Sequence, residues 1–183
     1  MNEIDDLSAR LGEACGRAHL LVATAESCTA GGVAEAVTRT AGSSAWFDRG
    51  FIAYSNEAKV DLLGVRQETL GSHGAVSEAV AREMALGALH QSAADLAVAV
   101  TGVAGPGGGT AAKPVGLVWF AWASLDGAVR TKFEVFGGDR AAIRRQAVAE
   151  ALKGLVELVG GEGESPEKRG QIPFSGESSE KGI

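Results

Sequence analysis

Cysteine and histidine are scarce in this sequence of 183 residues, which has two of the first and three of the second. The cysteines, Cys15 and Cys28, have neither the number of a disulfide framework nor the spacing of a zinc site, so we expect reduced thiols. No group of carboxylates and histidines has ligand spacing either. We therefore expect a protein that uses neither a metal nor a cofactor.

Long apolar runs are also missing, since no stretch of eighteen or more apolar residues occurs. Residues 1–6 are acidic where a secretion signal would be basic and then apolar, which favours a cytoplasmic protein without membrane contact. The net charge of -6 argues against a broad surface for nucleic-acid phosphates. A small anionic ligand would need a local basic pocket.

The composition that remains is that of one globular domain. With 45% hydrophobic and 22% charged residues, the chain can form one well-packed core, which we assign to residues 1–160. Residues 161–183 consist mainly of Gly, Glu, Ser, Pro and Lys, with only Ile172 and Phe174 as isolated apolar residues. We expect this segment to be a disordered polar tail.

Helix and strand patterns alternate along the domain, and a hairpin follows them. Asp126-Gly127 is a strong tight-turn signal between two apolar segments, so the last two strands should pair antiparallel in a mixed sheet. The pattern predicts helices over residues 4–15, 31–38, 56–63, 77–91 and 139–158, and strands over residues 19–23, 47–54, 95–101, 116–124 and 129–136.

A serine and a lysine follow two successive predicted strands. Ser27 precedes small residues and a helix, whose first amides could hold a developing negative oxygen. Lys59 lies 32 residues later, on the first turns of the next helix. If the two strands are neighbours, the lysine amine could accept the serine proton, as in Ser-Lys enzymes. The spacing leaves open the alternative that Ser27 only caps its helix while Lys59 lies in solvent.

Cys28 is a rival nucleophile, because a thiolate beside a helix N-terminus is reactive. Its usual partner would be a histidine, yet His19, His73 and His90 stand at strand or helix ends without a catalytic context. We therefore interpret Cys28 as a small buried residue. A cysteine-dependent amidase remains an alternative.

A glycine-rich segment, residues 102–109, follows the predicted strand that ends at Thr101. Glycines let backbone amides approach an anion closely, although a flexible connector would have the same composition. The segment matches neither the phosphate-binding P-loop nor the dinucleotide fingerprint. Lys113 brings a cation to the same edge, and Tyr54 with Arg140 could complete a basic, hydrogen-bonding pocket.

Motifs spread over roughly residues 5–158 resemble the CinA carboxy-terminal domain family, several members of which are nicotinamide mononucleotide deamidases. The resemblance implies an α/β fold, a three-layer α/β/α sandwich with a mixed, mostly parallel central sheet. It also implies hydrolysis of the nicotinamide amide to give nicotinate mononucleotide and ammonia, and a homodimer. The matching motifs are Glu26-Ser27-Cys28-Thr29-Ala30-Gly31, Gly42-Ser43-Ser44, Tyr54-Ser55-Asn56-Glu57-Ala58-Lys59, Gly74-Ala75-Val76-Ser77, Thr101-Gly102-Val103-Ala104-Gly105-Pro106-Gly107-Gly108-Gly109-Thr110 and Lys113-Pro114-Val115-Gly116.

The same resemblance assigns roles to individual residues. Ser27 would be the nucleophile and Lys59 its base, with Tyr54 and Thr101 supporting the reacting groups. Residues that would hold the substrate, its ribose phosphate or the oxyanion are Glu26, Thr29, Ser44, Gly102, Gly105, Gly107, Gly108, Lys113 and Arg140.

Two departures from the family pattern stand out. Ala30-Gly31-Gly32 replaces the Gly-Gly-Leu of many relatives, which changes the first turn of the helix but not the hydroxyl. The amino-terminal molybdopterin-binding-like domain of many CinA proteins is missing, so we expect a stand-alone deamidase. A nucleotide-binding or interaction module that retains the pocket without turnover is the competing hypothesis.

Overall fold

A five-stranded mixed sheet forms the centre of the protein, which this computed structural model describes over residues 2–161. The strands lie in the order β2-β1-β3-β4-β5. β1 pairs parallel with β2 and β3, whereas β4 is antiparallel to both β3 and β5, so four of the five strands run in one direction. The strands are β1 Val22–Glu26, β2 Phe47–Ile52, β3 Leu96–Gly102, β4 Leu117–Ser124 and β5 Val129–Val135.

Six helices cover the two faces of the sheet, which confirms the predicted three-layer α/β/α fold. α1, α2 and α6 pack on one face, and α5 packs on the other with α3 and α4 beside it. The helices are α1 Glu3–Ala18, α2 Gly32–Thr38, α3 Asn56–Leu63, α4 Gln67–His73, α5 Glu78–His90 and α6 Arg140–Gly161.

Side-chain size differs between the two faces of the sheet. Successive residues of a strand point to opposite faces, and in each of three strands two successive positions on the α5 side are alanine. These alanines let α5 lie close to the sheet, while large side chains fill the space under α1 and α6. The alanines are Ala23, Ala25, Ala97, Ala99, Ala121 and Ala123, and Trp122, Phe120 and Val98 are among the residues opposite.

Local capping signals explain where most helices begin and end. Ser55 accepts a hydrogen bond from the Ala58 amide at the start of α3, and Gly64 ends that helix at a φ of 67°. Ser77 caps α5 and Asp139 caps α6, as the sequence predicts.

Some boundaries differ from the predicted ones. β1 starts at Val22 rather than at His19, because α1 continues to Ala18 and His19 ends it in the left-handed region at a φ of 56°. Two short elements were not predicted: α4, and a 3-10 turn over Ser43–Ala45. Both are too short for a hydrophobic period to be recognised.

Other sequence predictions concern membrane helices, the cysteines, metal sites and the C-terminal tail. None of the helices in residues 2–161 is long and apolar enough to cross a membrane. Cys15 and Cys28 are buried free thiols. Over the same residues, no three His, Cys, Asp or Glu side chains lie together as a metal site requires. The predicted disordered tail lies outside the described residues from residue 162 onward.

Candidate active site

The carboxyl ends of β1, β2 and β3 meet at one edge of the sheet. Ser27 follows β1, Tyr54 lies just beyond β2, and Thr101 is near the end of β3. The strand order reverses at β1, where α/β sheets commonly bind ligands. A cavity of about 290 Å³ opens there. Its lining comprises Ser27, Cys28, Tyr54, Asn56, Lys59, Ala75, Val76, Thr101, Gly102, Val103, Ala104, Gly105, Gly107, Gly108 and Arg140.

Ser27 and Lys59 meet at this cavity. Lys59 Nζ lies 3.2 Å from Ser27 Oγ, within hydrogen-bonding distance. Lys59 reaches the serine from the first turn of α3, because β1 and β2 are adjacent parallel strands and α3 begins beyond the end of β2. The geometry thus excludes the alternative in which Lys59 lies in solvent.

Lys59 is a buried amine held by backbone carbonyls. Its side chain is only 1% exposed, and Nζ donates to the carbonyl oxygens of Ala53 at 3.0 Å and Tyr54 at 3.2 Å. No carboxylate forms an ion pair with it in the described part of the chain. Burial therefore lowers the pKa of the Lys59 amine below its ordinary 10.5. A larger fraction of Lys59 is therefore the neutral amine, whose lone pair can accept a proton.

Cys28 is a poor candidate nucleophile in this setting. It is 5% exposed, and burial raises the pKa of its thiol to about 11. The thiol is therefore protonated at neutral pH and weakly nucleophilic. The three histidines are exposed, and none of them lines the cavity.

Arg140 and Tyr54 lie together at the cavity mouth. The Arg140 guanidinium donates to the Tyr54 hydroxyl at 3.1 Å and to the Gly105 carbonyl at 2.9 Å. Arg140 comes from the start of α6, so this contact joins α6 to the β2–α3 connection and to the glycine-rich loop. None of the described residues that line the cavity is acidic, so the Arg140 guanidinium makes the cavity positive within a chain of net charge -6.

The glycine-rich loop forms a wall of the same cavity. Gly105 has a φ of 73°, and a Cβ there would lie 2.5 Å from Val115, so a larger residue would strain the backbone and displace Val115. On the opposite wall the Thr101 hydroxyl donates to the Ala75 carbonyl at 2.9 Å. That bond connects the end of β3 to the segment before α5.

Four of the predicted substrate-binding residues do not line the cavity. Glu26 and Thr29 are buried and bind each other, with Thr29 Oγ1 donating to Glu26 at 2.7 Å. Ser44 is exposed on the 3-10 turn. Lys113 donates to the His73 carbonyl and lines a neighbouring groove instead. Glu26, Thr29 and Lys113 lie at the same edge of the sheet as the cavity, but their side chains point elsewhere. Ser44 precedes β2 and therefore lies at the opposite edge.

Outside the glycine-rich loop, three lining residues had no predicted role. Ala75 and Val76 come from the turn before α5, and Asn56 is the first residue of α3. Each belongs to a motif by which the sequence resembles the family. A small apolar or amide side chain, however, does not by itself indicate a role in catalysis or binding. Only the folded arrangement brings these residues beside Ser27.

Comparison with known proteins places this geometry in a family. A model of the CinA C-terminal domain matches residues 4–159. The nicotinamide-nucleotide amidohydrolase PncC of Escherichia coli K12 is 56% identical over 154 residues, covering 84% of this chain and 93% of that protein. The Pseudomonas putida protein of the same name is 53% identical over 159 residues, covering 86% and 98%. The crystal structure of competence/damage inducible protein CihA from Agrobacterium tumefaciens superposes with a TM-score of 0.85 at 49% identity, covering 86% and 96%. The chain therefore belongs to the CinA C-terminal domain family.

Proposed function

We propose that this protein is an amidohydrolase that converts nicotinamide mononucleotide to nicotinate mononucleotide and ammonia. The observation that carries the proposal is the 3.2 Å contact between Lys59 Nζ and Ser27 Oγ in a positive cavity. The substrate is proposed from relatives more than half identical in sequence, which are named for amide hydrolysis on nicotinamide nucleotides.

The first half of the reaction forms an ester on Ser27. The neutral Lys59 amine accepts the Ser27 proton while Oγ bonds to the amide carbon, which gives a tetrahedral oxyanion. The carbon–nitrogen bond then breaks, and the departing nitrogen takes the proton back from Lys59 and leaves as ammonia. The carbonyls of Ala53 and Tyr54 hold Nζ in place throughout these steps.

The second half of the reaction releases the product. Lys59 accepts a proton from water, the hydroxide attacks the ester carbon, and Ser27 Oγ leaves with that proton. Nicotinate mononucleotide is released and Ser27 is restored. This sequence uses only groups that line the cavity, in the roles that Ser-Lys hydrolases assign to them.

Arg140 and the glycine-rich loop suit the phosphate of the substrate. Arg140 is a guanidinium at the cavity mouth, and such groups form paired hydrogen bonds to phosphate oxygens. The amides of Gly107 and Gly108 lie on the same wall, with no side chain to block an anion. Tyr54 then fixes Arg140, and Thr101 fixes the wall near the reacting carbon.

A binding module without turnover is the second candidate function, because a fold does not by itself determine an activity. The buried lysine argues against it. Placing an amine in a 1% exposed site beside a hydroxyl lowers its pKa and costs stability, which a binding site does not need. A cysteine-dependent amidase is disfavoured by the raised pKa of the Cys28 thiol.

An ammonia assay tests the proposal. We expect ammonia from nicotinamide mononucleotide and none from free nicotinamide, which lacks the phosphate. Ser27→Ala and Lys59→Ala should each lower kcat by at least about a hundredfold while the fold is kept. Cys28→Ala is the matched control at the adjacent position and should retain turnover. Binding of the nucleotide without ammonia release would instead support the binding module.

We further propose that the protein acts in the cytoplasm as a homodimer, as the family resemblance implies. The chain mass is 18.6 kDa. Sedimentation equilibrium should therefore give twice this mass, and a single-chain mass would contradict the homodimer.

A further inference from the structure

Glu26 is a buried carboxylate next to the nucleophile. It is the last residue of β1 and is only 1% exposed. Both of its oxygens accept hydrogen bonds, one of them from Thr24 and four from the segment that follows Ser27. The donors are the Thr24 hydroxyl at 3.2 Å, the Thr29 hydroxyl at 2.7 Å, and the amides of Gly31 at 3.0 Å, Val33 at 3.0 Å and Ala34 at 2.9 Å.

The turn that carries Ser27 wraps around this carboxylate. Ala30 and Gly31 both lie in the left-handed region, at φ values of 49° and 91°. An alanine is strained there, whereas glycine is not. The turn therefore depends on contacts that hold Ala30 in this conformation. The hydrogen bonds to Glu26 flank Ala30 on both sides.

We infer that Glu26 is a positioning residue that holds the turn of residues 27–31 so that Ser27 Oγ stays within reach of Lys59 Nζ. The inference rests on the proposed function. It replaces the substrate-binding role that the family resemblance implied for Glu26, because a carboxylate that is 1% exposed and accepts five hydrogen bonds has no free face for a ligand.

The arrangement also excludes three donors for the oxyanion. Glu26 accepts hydrogen bonds from the amides of Gly31, Val33 and Ala34, so these amides cannot stabilise the reacting oxygen.

The chain offers a matched control for Glu26. Glu83 also accepts a hydrogen bond from a backbone amide at the start of a helix, that of Arg66 at 2.9 Å, and another from the Thr69 hydroxyl at 2.7 Å. It does not line the cavity. Glu83→Gln therefore reports the cost of removing such a carboxylate where no catalytic group is involved.

The test compares Glu26→Gln, Glu83→Gln, Ala30→Gly and the Glu26→Gln/Ala30→Gly double variant. Glu26→Gln should lower kcat about a hundredfold with KM within about threefold, because misplacing the nucleophile slows the chemical step. Glu83→Gln should keep kcat within about twofold of the parent even if its Tm falls.

Rescue separates positioning from general stability. Glycine adopts the left-handed region without help, so Ala30→Gly should restore kcat about tenfold in the Glu26→Gln background. Amide hydrogen exchange at Gly31, Val33 and Ala34 should accelerate in Glu26→Gln, while that of β1 stays slow. If Glu26→Gln alone does not fold, Ala30→Gly and the double variant provide the same comparison.

Each other outcome overturns the inference. A kcat in Glu26→Gln equal to that of Glu83→Gln, or a rise in KM alone, would show that Glu26 does not position Ser27. An absence of ammonia release by the parent protein would instead contradict the proposed function. Exchange at the three amides would then still decide whether Glu26 holds the turn.

Discussion

At the scale of single residues, Lys59 combines burial with the absence of a carboxylate partner in the described residues. Burial disfavours the ammonium form, so the pKa of Lys59 in the folded protein lies below the 10.5 of the exposed side chain. Between the two pKa values the unfolded chain binds more protons than the folded one. Stability contributed by this site therefore rises as the pH rises through that window.

The pH dependence of both activity and stability should report this lysine. We expect kcat/KM to rise with pH along a limb for one proton, with its midpoint below 10.5. As the pH rises through the same range, the Tm of the parent should increase relative to the Tm of Lys59→Met. The variant shows no such increase because methionine has no charge to bury. A Tm difference independent of pH would show that Lys59 is not desolvated.

At the scale of secondary-structure elements, the packing of α6 against β4 fixes the position of Arg140. The contact with β4 lies further along α6, at Ala151 and Gly154. Trp122 Nε1 donates to the Ala151 carbonyl at 3.0 Å, and Gly154 faces the indole ring. A Cβ on Gly154 would lie 2.1 Å from Trp122 Cε2, so no side chain fits. Glycine ordinarily lowers helix stability, but Gly154 is where α6 lies close to the Trp122 indole of β4.

Gly154→Ala should therefore destabilise the fold by about 1–3 kcal/mol, because α6 or Trp122 must move. Gly16 in α1 is the matched control, since a Cβ there meets nothing within 4 Å. Gly16→Ala should stabilise by about 0.5–1 kcal/mol through helix propensity alone. Urea unfolding measures both. An equal gain in the two variants would contradict the close packing of α6 on Trp122.

At the scale of the whole molecule, the described residues 2–161 form two cores and line the cavity. One core lies between the sheet and α1, α2 and α6, and the other lies between the sheet and α5. The cavity draws on connections after β1, β2 and β3 and on the start of α6. We therefore expect residues 162–183 to be unnecessary for the proposed reaction.

A chain truncated after Gly161 should keep its Tm within about 2 °C and its kcat within about twofold, because no described contact is lost. Differential scanning calorimetry and the ammonia assay compare it with the full chain. A loss of kcat on truncation would assign the tail a part in the site and contradict the domain boundary proposed here.

The sequence by itself determined the main helices and strands, through apolar periods and the caps at Ser77 and Asp139. Its resemblance to a family implied the fold class and the roles of Ser27 and Lys59, whereas the spacing of the two residues left their contact open. The sequence did not show α4 or the 3-10 turn, because such short elements depend on the structure around them.

Only the tertiary structure decided which motif residues face the cavity. Glu26 and Ser27 are adjacent in sequence, yet one points into the protein and the other towards the cavity, since successive residues of a strand point to opposite sides. Lys113 turns towards His73, and Ser44 lies on the surface. A motif determines which connection of the sheet a residue belongs to, whereas the edge at which that connection lies and the direction of each side chain depend on the topology, backbone dihedrals and packing of the folded chain.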